Sequence, residues 1–194
     1  MDIKQLDPKE KVLTFFGEIK SSSVETVIKE IAKINLADQE YIRQCSQWAR
    51  DNRLSPMSVS ITPIELYLST CGGGCYDGIA LHDVIEGSQT PVEVICTGKI
   101  MSMGIIVALG ARVRKGYRNT TFMIHQVSGI SFGTLREMED TVAEAGRVNA
   151  MLFSIIRSKT KVSKERLDEV LQQKKDWFLT AEEALKLGIL TEII

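Results

Sequence analysis

Only two histidines occur in the 194 residues, His82 and His125, so imidazole chemistry has two places to happen. Cysteine is also sparse: Cys45, Cys71, Cys75 and Cys96. The charged segment Met1–Glu10 has no apolar signal core, which argues against an oxidising compartment, so four free thiols are expected. Cys71 and Cys75 frame Gly72-Gly73-Gly74, but a lone C-x-x-x-C pair fills half of a tetrahedral zinc site, and no metal or other cofactor is expected. No apolar run approaches the ~20 residues of a membrane span. A net charge of −1 and a pI near 6.2 offer no basic surface for a phosphate backbone or an acidic membrane. Neither nucleic acid nor membrane is therefore expected as a partner, and a cytoplasmic location is. The G-x-G-x-x-G and Walker spacings of nucleotide loops are missing as well.

With 44% hydrophobic residues and mixed charge, the chain has the material for one core, and residues 1–194 read as a single domain. Val12 to Phe16 reads as a buried strand stopped by Gly17, and Ser21-Ser22-Ser23 offers a cap for the helix that follows. Val24, Val27, Ile28, Ile31 and Ile34 recur at helical spacing. In the stretch 35–60, Tyr41, Ile42, Cys45 and Trp48 suit a continued or second helix, which Pro56 breaks, so a helical excursion is expected there. Ile64 to Ser69 is the next strand and runs into the glycines. Asp77 to Glu86 is an amphipathic helix, and His82 within it reads as a surface or satisfied residue. Pro91 to Thr97 is a strand ending at Gly98.

The chemistry gathers after that glycine. Ser102 opens the apolar helix Met103 to Leu109, and His125 follows the short strand Thr121 to Ile124. A serine hydroxyl becomes a nucleophile when a base takes its proton, and imidazole does this near neutral pH. At a helix N-terminus, unpaired amides and the positive end of the dipole favour a developing oxyanion. Serine is also a common helix cap, and on local sequence both readings stand. A long helix follows, with Leu135, Met138, Val142, Ala145, Val148, Leu152 and Ile155 on its apolar positions, too long for a compact core and suited to subunit contact. Ser163 caps a shorter helix, and Thr180-Ala181-Glu182-Glu183 forms a capping box for the last one, ended by Gly188. Asp176, between Lys174-Lys175 and Trp177-Phe178-Leu179, can pair with a neighbouring lysine or orient a histidine.

Taken in order, Gly72-Gly73 after a strand, Gly98-x-x-x-Ser102-Met103-Gly104, Met123-Ile124-His125-Gln126 and Asp176-x-Phe178-Leu179-Thr180-Ala181-x-Glu183-Ala184 resemble the ClpP family of Clp protease proteolytic subunits. The resemblance runs from Val12 to Ile189. It implies an α/β fold, the ββα superhelix shared by ClpP and the crotonases, with a protruding handle helix. It implies Ser102 as nucleophile, His125 as base and acid, Asp176 as the orienting carboxylate, and an oxyanion hole from the amides of Gly73 and Met103. It also implies that the Gly72 to Cys75 and Val127 to Gly133 segments flank an extended substrate, with Gly72, Gly74, Val127 and Gly129 pairing with its backbone. Peptide or unfolded protein is the implied substrate, and a homo-oligomer, a heptameric ring or stacked rings, the implied assembly.

Some positions depart from the family pattern. Ser-Pro-Gly-Gly is here Thr70-Cys71-Gly72-Gly73, keeping the glycines and losing the proline. Lys175 stands where an arginine tied to ring-to-ring contact is usual, and lysine lacks that bidentate fork. Family members carry a longer segment than Met1–Glu10 ahead of the first strand, which weighs against an AAA+ unfoldase partner and towards a phage-type prohead processing protease of the same fold. A catalytically silent ring subunit is the reading from outside the enzymes, and an acyl-CoA crotonase the more distant alternative.

Overall fold

The computed structural model describes residues 11–55, 58–129 and 132–194. The predicted helix break at Pro56 lies outside these residues, as do Ile130 and Ser131 of the predicted substrate-flanking segment. Four parallel strands form the centre of a seven-stranded sheet: β1 (Val12–Phe16), β2 (Ile64–Thr70), β3 (Val92–Met101) and β4 (Val113–Gly116), with β7 (Glu192–Ile193) beyond β4. The inner strands β2 and β3 are buried on alternating positions or continuously, as helix-covered parallel strands are.

Gly98 does not end its strand. β3 continues to Met101, and its first half pairs with β4 while its second half, Lys99 to Met101, pairs with β5 (Thr121–Ile124). The change of partner falls at Gly98, whose φ of +63° turns the chain in a region that a side chain resists. This branch of the sheet is completed by β6 (Trp177–Leu179), antiparallel to β5.

Between β1 and β2 lies α1 (Ser21–Asp51), a single continuous helix of 31 residues, about 46 Å long. The excursion is thus an extension of the first helix. Val24, Val27, Ile31, Asp38, Cys45 and Ala49 keep one buried stripe along it. Its cap comes from within: Ser23, at the third helical position, accepts a hydrogen bond from the Lys20 amide at 3.2 Å, and Lys20 is the residue that precedes the helix. α2 (Cys75–Glu86) follows β2, and α3 (Met103–Leu109) follows β3. Every residue of α3 is buried, so Ser102 is held at the tip of the most deeply packed helix.

Helix α4 (Leu135–Lys159) buries Val148, Asn149, Leu152, Phe153 and Ile156 only, leaving its first half outside the core. From Leu135 to Arg147 it projects about 20 Å, with Leu135 and Val142 exposed and Met138 partly so. The expected protruding helix is present. α5 (Lys164–Gln173) and α6 (Ala181–Lys186) are capped by Ser163 and Thr180 as their sequences predict.

β4 and β7 escape the sequence reading because neither shows an apolar alternation. In β4 the inward residue is Arg114, a buried guanidinium that donates to the carbonyls of Ala111, Gly188 and Ile189 at 2.6–3.0 Å. It satisfies the chain ends that follow α3 and α6.

Candidate active site

Ser102 has φ +55° and ψ −124°, a conformation costly for any residue with a Cβ. Its own amide donates to the Met123 carbonyl at 2.8 Å, fixing the turn between β3 and α3 to β5. The result lifts the side chain to the surface of the sheet end, where Ser102 Oγ lies 2.7 Å from His125 Nε2. Gly72 sits against this serine so closely that a Cβ on Gly72 would fall 2.7 Å from Ser102 Cβ.

Strand register brings in the third group. β5 and β6 pair Ile124 with Trp177, so His125 and Asp176 are opposite each other one step past the last ladder pair. His125 Nδ1 is 3.8 Å from Asp176 Oδ1, within ion-pair range but longer than a hydrogen bond. Arg166 of α5 stacks on the Trp177 ring at 4.4 Å and anchors the strand next to Asp176. The alternative pairing of Asp176 with Lys174 or Lys175 does not form within 4.0 Å among the described residues.

A cavity of about 310 Å³ opens at these groups, bounded by Cys71, Gly73 and Cys75 on one wall and His125 to Ser128 on the other, with Ile106, Leu152 and Ile156 deeper in. Of the glycine segment, Cys71, Gly73 and Cys75 line the cavity. Gly72 and Gly74 have both backbone groups committed. Gly72 N–H donates to Thr70 Oγ1 and its carbonyl accepts from Ile19. Gly74 N–H donates to Ile19 and its carbonyl accepts from Gly78. The N–H groups of Gly72 and Gly74 are thus both engaged within the protein, which leaves the second lone pair of each carbonyl for a ligand. The bridge between Ile19 and Gly73 leaves the Gly73 amide on the opposite side from Ile19. A Cβ at Gly73 would fall 2.1 Å from the Ile19 carbonyl oxygen, so glycine is required there. Met103, the first residue of α3, carries one of the helix's unpaired amides.

On the other wall, Val127 N–H is already bonded to the side chain of buried Asn149 at 3.0 Å, which leaves Val127 only its carbonyl for a ligand. Gly129 does not line this cavity. Asn149, Ile19 and Thr70 hold the site and were not among the predicted residues. Asn149 has a sequence signal, a polar residue inside the apolar stripe of its helix; Ile19 has none, because its role is made by its backbone.

His82 is separate from this cavity. It is 3% exposed, not on the surface, and its Nδ1 lies 2.8 Å from Asp83 Oδ1 while buried Nε2 has no hydrogen-bond partner among the described residues. The expectation of a surface or satisfied histidine is corrected: α2 packs this face on the turn after α3, where a Cβ on Gly110 would meet the His82 carbonyl at 2.6 Å. All four cysteines are free thiols, Cys71 exposed, Cys75 half-buried, Cys45 and Cys96 buried. No helix among the described residues is long and apolar enough to cross a membrane.

The chain is similar to known proteins in sequence and fold. The family described as Clp protease matches residues 54–194. The ATP-dependent Clp protease proteolytic subunit 2 of Treponema pallidum is 35% identical over 144 residues, spanning 73% of this chain and 70% of the relative. The ATP-dependent Clp protease proteolytic subunit of Borreliella afzelii is 27% identical over 188 residues, 96% of this chain and 84% of the relative. Among solved structures, a ClpP1 variant from Listeria monocytogenes superposes with a TM-score of 0.74 at 27% identity, covering 95% of this chain and 91% of that one. The family match begins after α1, whereas the full-length likenesses include it.

Proposed function

The chain belongs to the Clp protease family, and from that premise we propose that it is a serine endopeptidase acting through Ser102, His125 and Asp176. The observation that carries this reading is the 2.7 Å contact between Ser102 Oγ and His125 Nε2 at the mouth of a peptide-sized cavity. His125 takes the proton of Ser102 as Oγ attacks the carbonyl carbon of the scissile bond. The carbonyl oxygen becomes an anion and is met by the amides of Gly73 and Met103, which are already oriented and cost no reorganisation. Collapse expels the amine, which leaves with the proton from His125, and an ester on Ser102 remains. Water, deprotonated by the same imidazole, attacks the ester and restores the serine. Asp176 holds the ring in the tautomer with hydrogen on Nδ1 and stabilises the imidazolium formed in each half-reaction.

The substrate is a peptide or unfolded chain laid between the Cys71–Cys75 wall and the Gln126–Ser128 wall. Leu135 and Val142, exposed on a projecting helix, support a ring-shaped homo-oligomer in which that helix is a handle between stacked rings. Hydrolysis itself consumes no nucleotide, so short peptides are cleaved without ATP.

The test is hydrolysis of short fluorogenic peptides by the wild type and Ser102→Ala, with native mass measured in parallel. Cleavage lost in a variant of unchanged mass supports the reading. Cleavage that persists in Ser102→Ala removes Ser102 as nucleophile.

A further inference from the structure

Gly72 and Gly73, at φ +102° and +147°, sit in a region where a glycine chain has many alternatives, and Cys71 lacks the ring by which a proline would restrict it. The loop must nevertheless present one amide in one direction. Its restraints are the two bonds with the Ile19 backbone, the Gly78 amide on the Gly74 carbonyl, and a single side chain: Thr70 Oγ1 accepts the Gly72 N–H at 3.0 Å.

Thr70 is fully buried at the end of β2, and its rotamer is set from the other side. Its Cγ2 occupies the space left by Gly104, where a Cβ would come within 2.5 Å of it. Gly104 lies in the first turn of α3, two residues after Ser102. One side chain therefore touches both halves of the site: its methyl rests on the helix that presents the nucleophile, and its hydroxyl holds the loop that presents the Gly73 amide.

We infer that Thr70 is a positioning residue for the oxyanion, its hydroxyl aiming the Gly73 amide by holding Gly72 N–H. The inference rests on the serine peptidase reading above. Since the hydroxyl acts on the oxyanion donor and not on the peptide's side chains, its loss is felt in the transition state and not in substrate binding.

Two substitutions separate the hydroxyl from the methyl. Thr70→Val keeps the packing on Gly104 and removes the acceptor; Thr70→Ser keeps the acceptor and removes the packing methyl. Both are measured with a short fluorogenic peptide, and with a peptide boronate whose adduct on serine carries the tetrahedral anion. In Thr70→Val, kcat is expected to fall roughly 10- to 100-fold with KM within about twofold, and boronate affinity to fall by a similar factor. Thr70→Ser is expected to keep kcat within about threefold of wild type. Wild-type kcat in Thr70→Val, or a loss in Thr70→Ser as large as in Thr70→Val, overturns the inference. If Thr70→Val does not fold, Thr70→Ser decides: retained kcat supports the hydroxyl's role, and lost kcat overturns it. A wild type without Ser102-dependent cleavage sinks the peptidase reading and this inference with it, whereas an active wild type with an unaffected Thr70→Val sinks the inference alone.

Discussion

His125 Nδ1 and Asp176 Oδ1 stand 3.8 Å apart, while the other nitrogen of the same ring is 2.7 Å from Ser102 Oγ. The hydroxyl and the imidazole are in hydrogen-bond contact, and the carboxylate is one small movement short of a hydrogen bond. Such contacts commonly tighten when substrate excludes water from the site. Asp176→Asn is expected to lower kcat roughly a thousandfold at neutral pH with little change in KM, because the amide favours the wrong imidazole tautomer. Steady-state kinetics checks this, and a change of less than threefold would make Asp176 a bystander.

The glycine loop offers a contrast between two glycines. A methyl at Gly73 would collide with the Ile19 carbonyl at 2.1 Å, whereas a methyl at Gly146, inside α4, meets nothing within 4 Å. Gly73→Ala is expected to lose about 100-fold or more in kcat by displacing an oxyanion donor. Gly146→Ala is expected to keep activity and gain about 0.4–1 kcal/mol of stability. Peptide kinetics and thermal unfolding of the two variants provide the comparison.

Cys71 is an exposed thiol on the cavity wall. Burial pushes the Cys75 thiol up and the Cys96 thiol up to about 12, so thiolate forms poorly at both. A bulky maleimide is expected to label Cys71 first and to block peptide hydrolysis. Cys71→Ser is expected to stay active and become resistant to the reagent. Peptide mapping with activity measured in parallel tests both halves.

Far from the cavity, Lys11 Nζ and the Asp38 carboxylate form a buried pair at 2.9 Å, with Lys11 also donating to the Thr62 carbonyl and Thr90 Oγ1 to Asp38. Lys11→Met leaves a buried charge and is expected to cost about 3–5 kcal/mol in urea unfolding, with much of the loss recovered in Lys11→Met/Asp38→Leu. A loss below 1 kcal/mol in the single variant would mean that water reaches Asp38.

In the sequence Ser102 stands out because it follows a glycine turn and opens an apolar helix, and His125 because it follows directly on an apolar strand; the structure brings the two side chains to 2.7 Å. Asp176 was not settled by its neighbours. Its partner is chosen by the antiparallel register of a three-residue strand, which is too short to show a pattern. The stretch 35–60 reads as helical, but its continuity with the first helix is hidden by Asp38, a charged residue in the buried stripe whose partner Lys11 lies 27 positions away. Gly72, Gly73 and Gly74 are identical in sequence, and only the bridge to Ile19 distinguishes the one that faces the cavity. Arg114 concealed β4 because a buried arginine reads as surface until its carbonyl partners, more than 70 residues on, are known.

The proposed function requires Ser102 to be an activated nucleophile. Treating the protein with a fluorophosphonate probe and locating the adduct by peptide mass spectrometry, with Ser102→Ala alongside, tests it most directly. One adduct is expected, on Ser102, absent from the variant. A folded wild-type protein that takes up no probe, or an adduct that survives in Ser102→Ala, would contradict it.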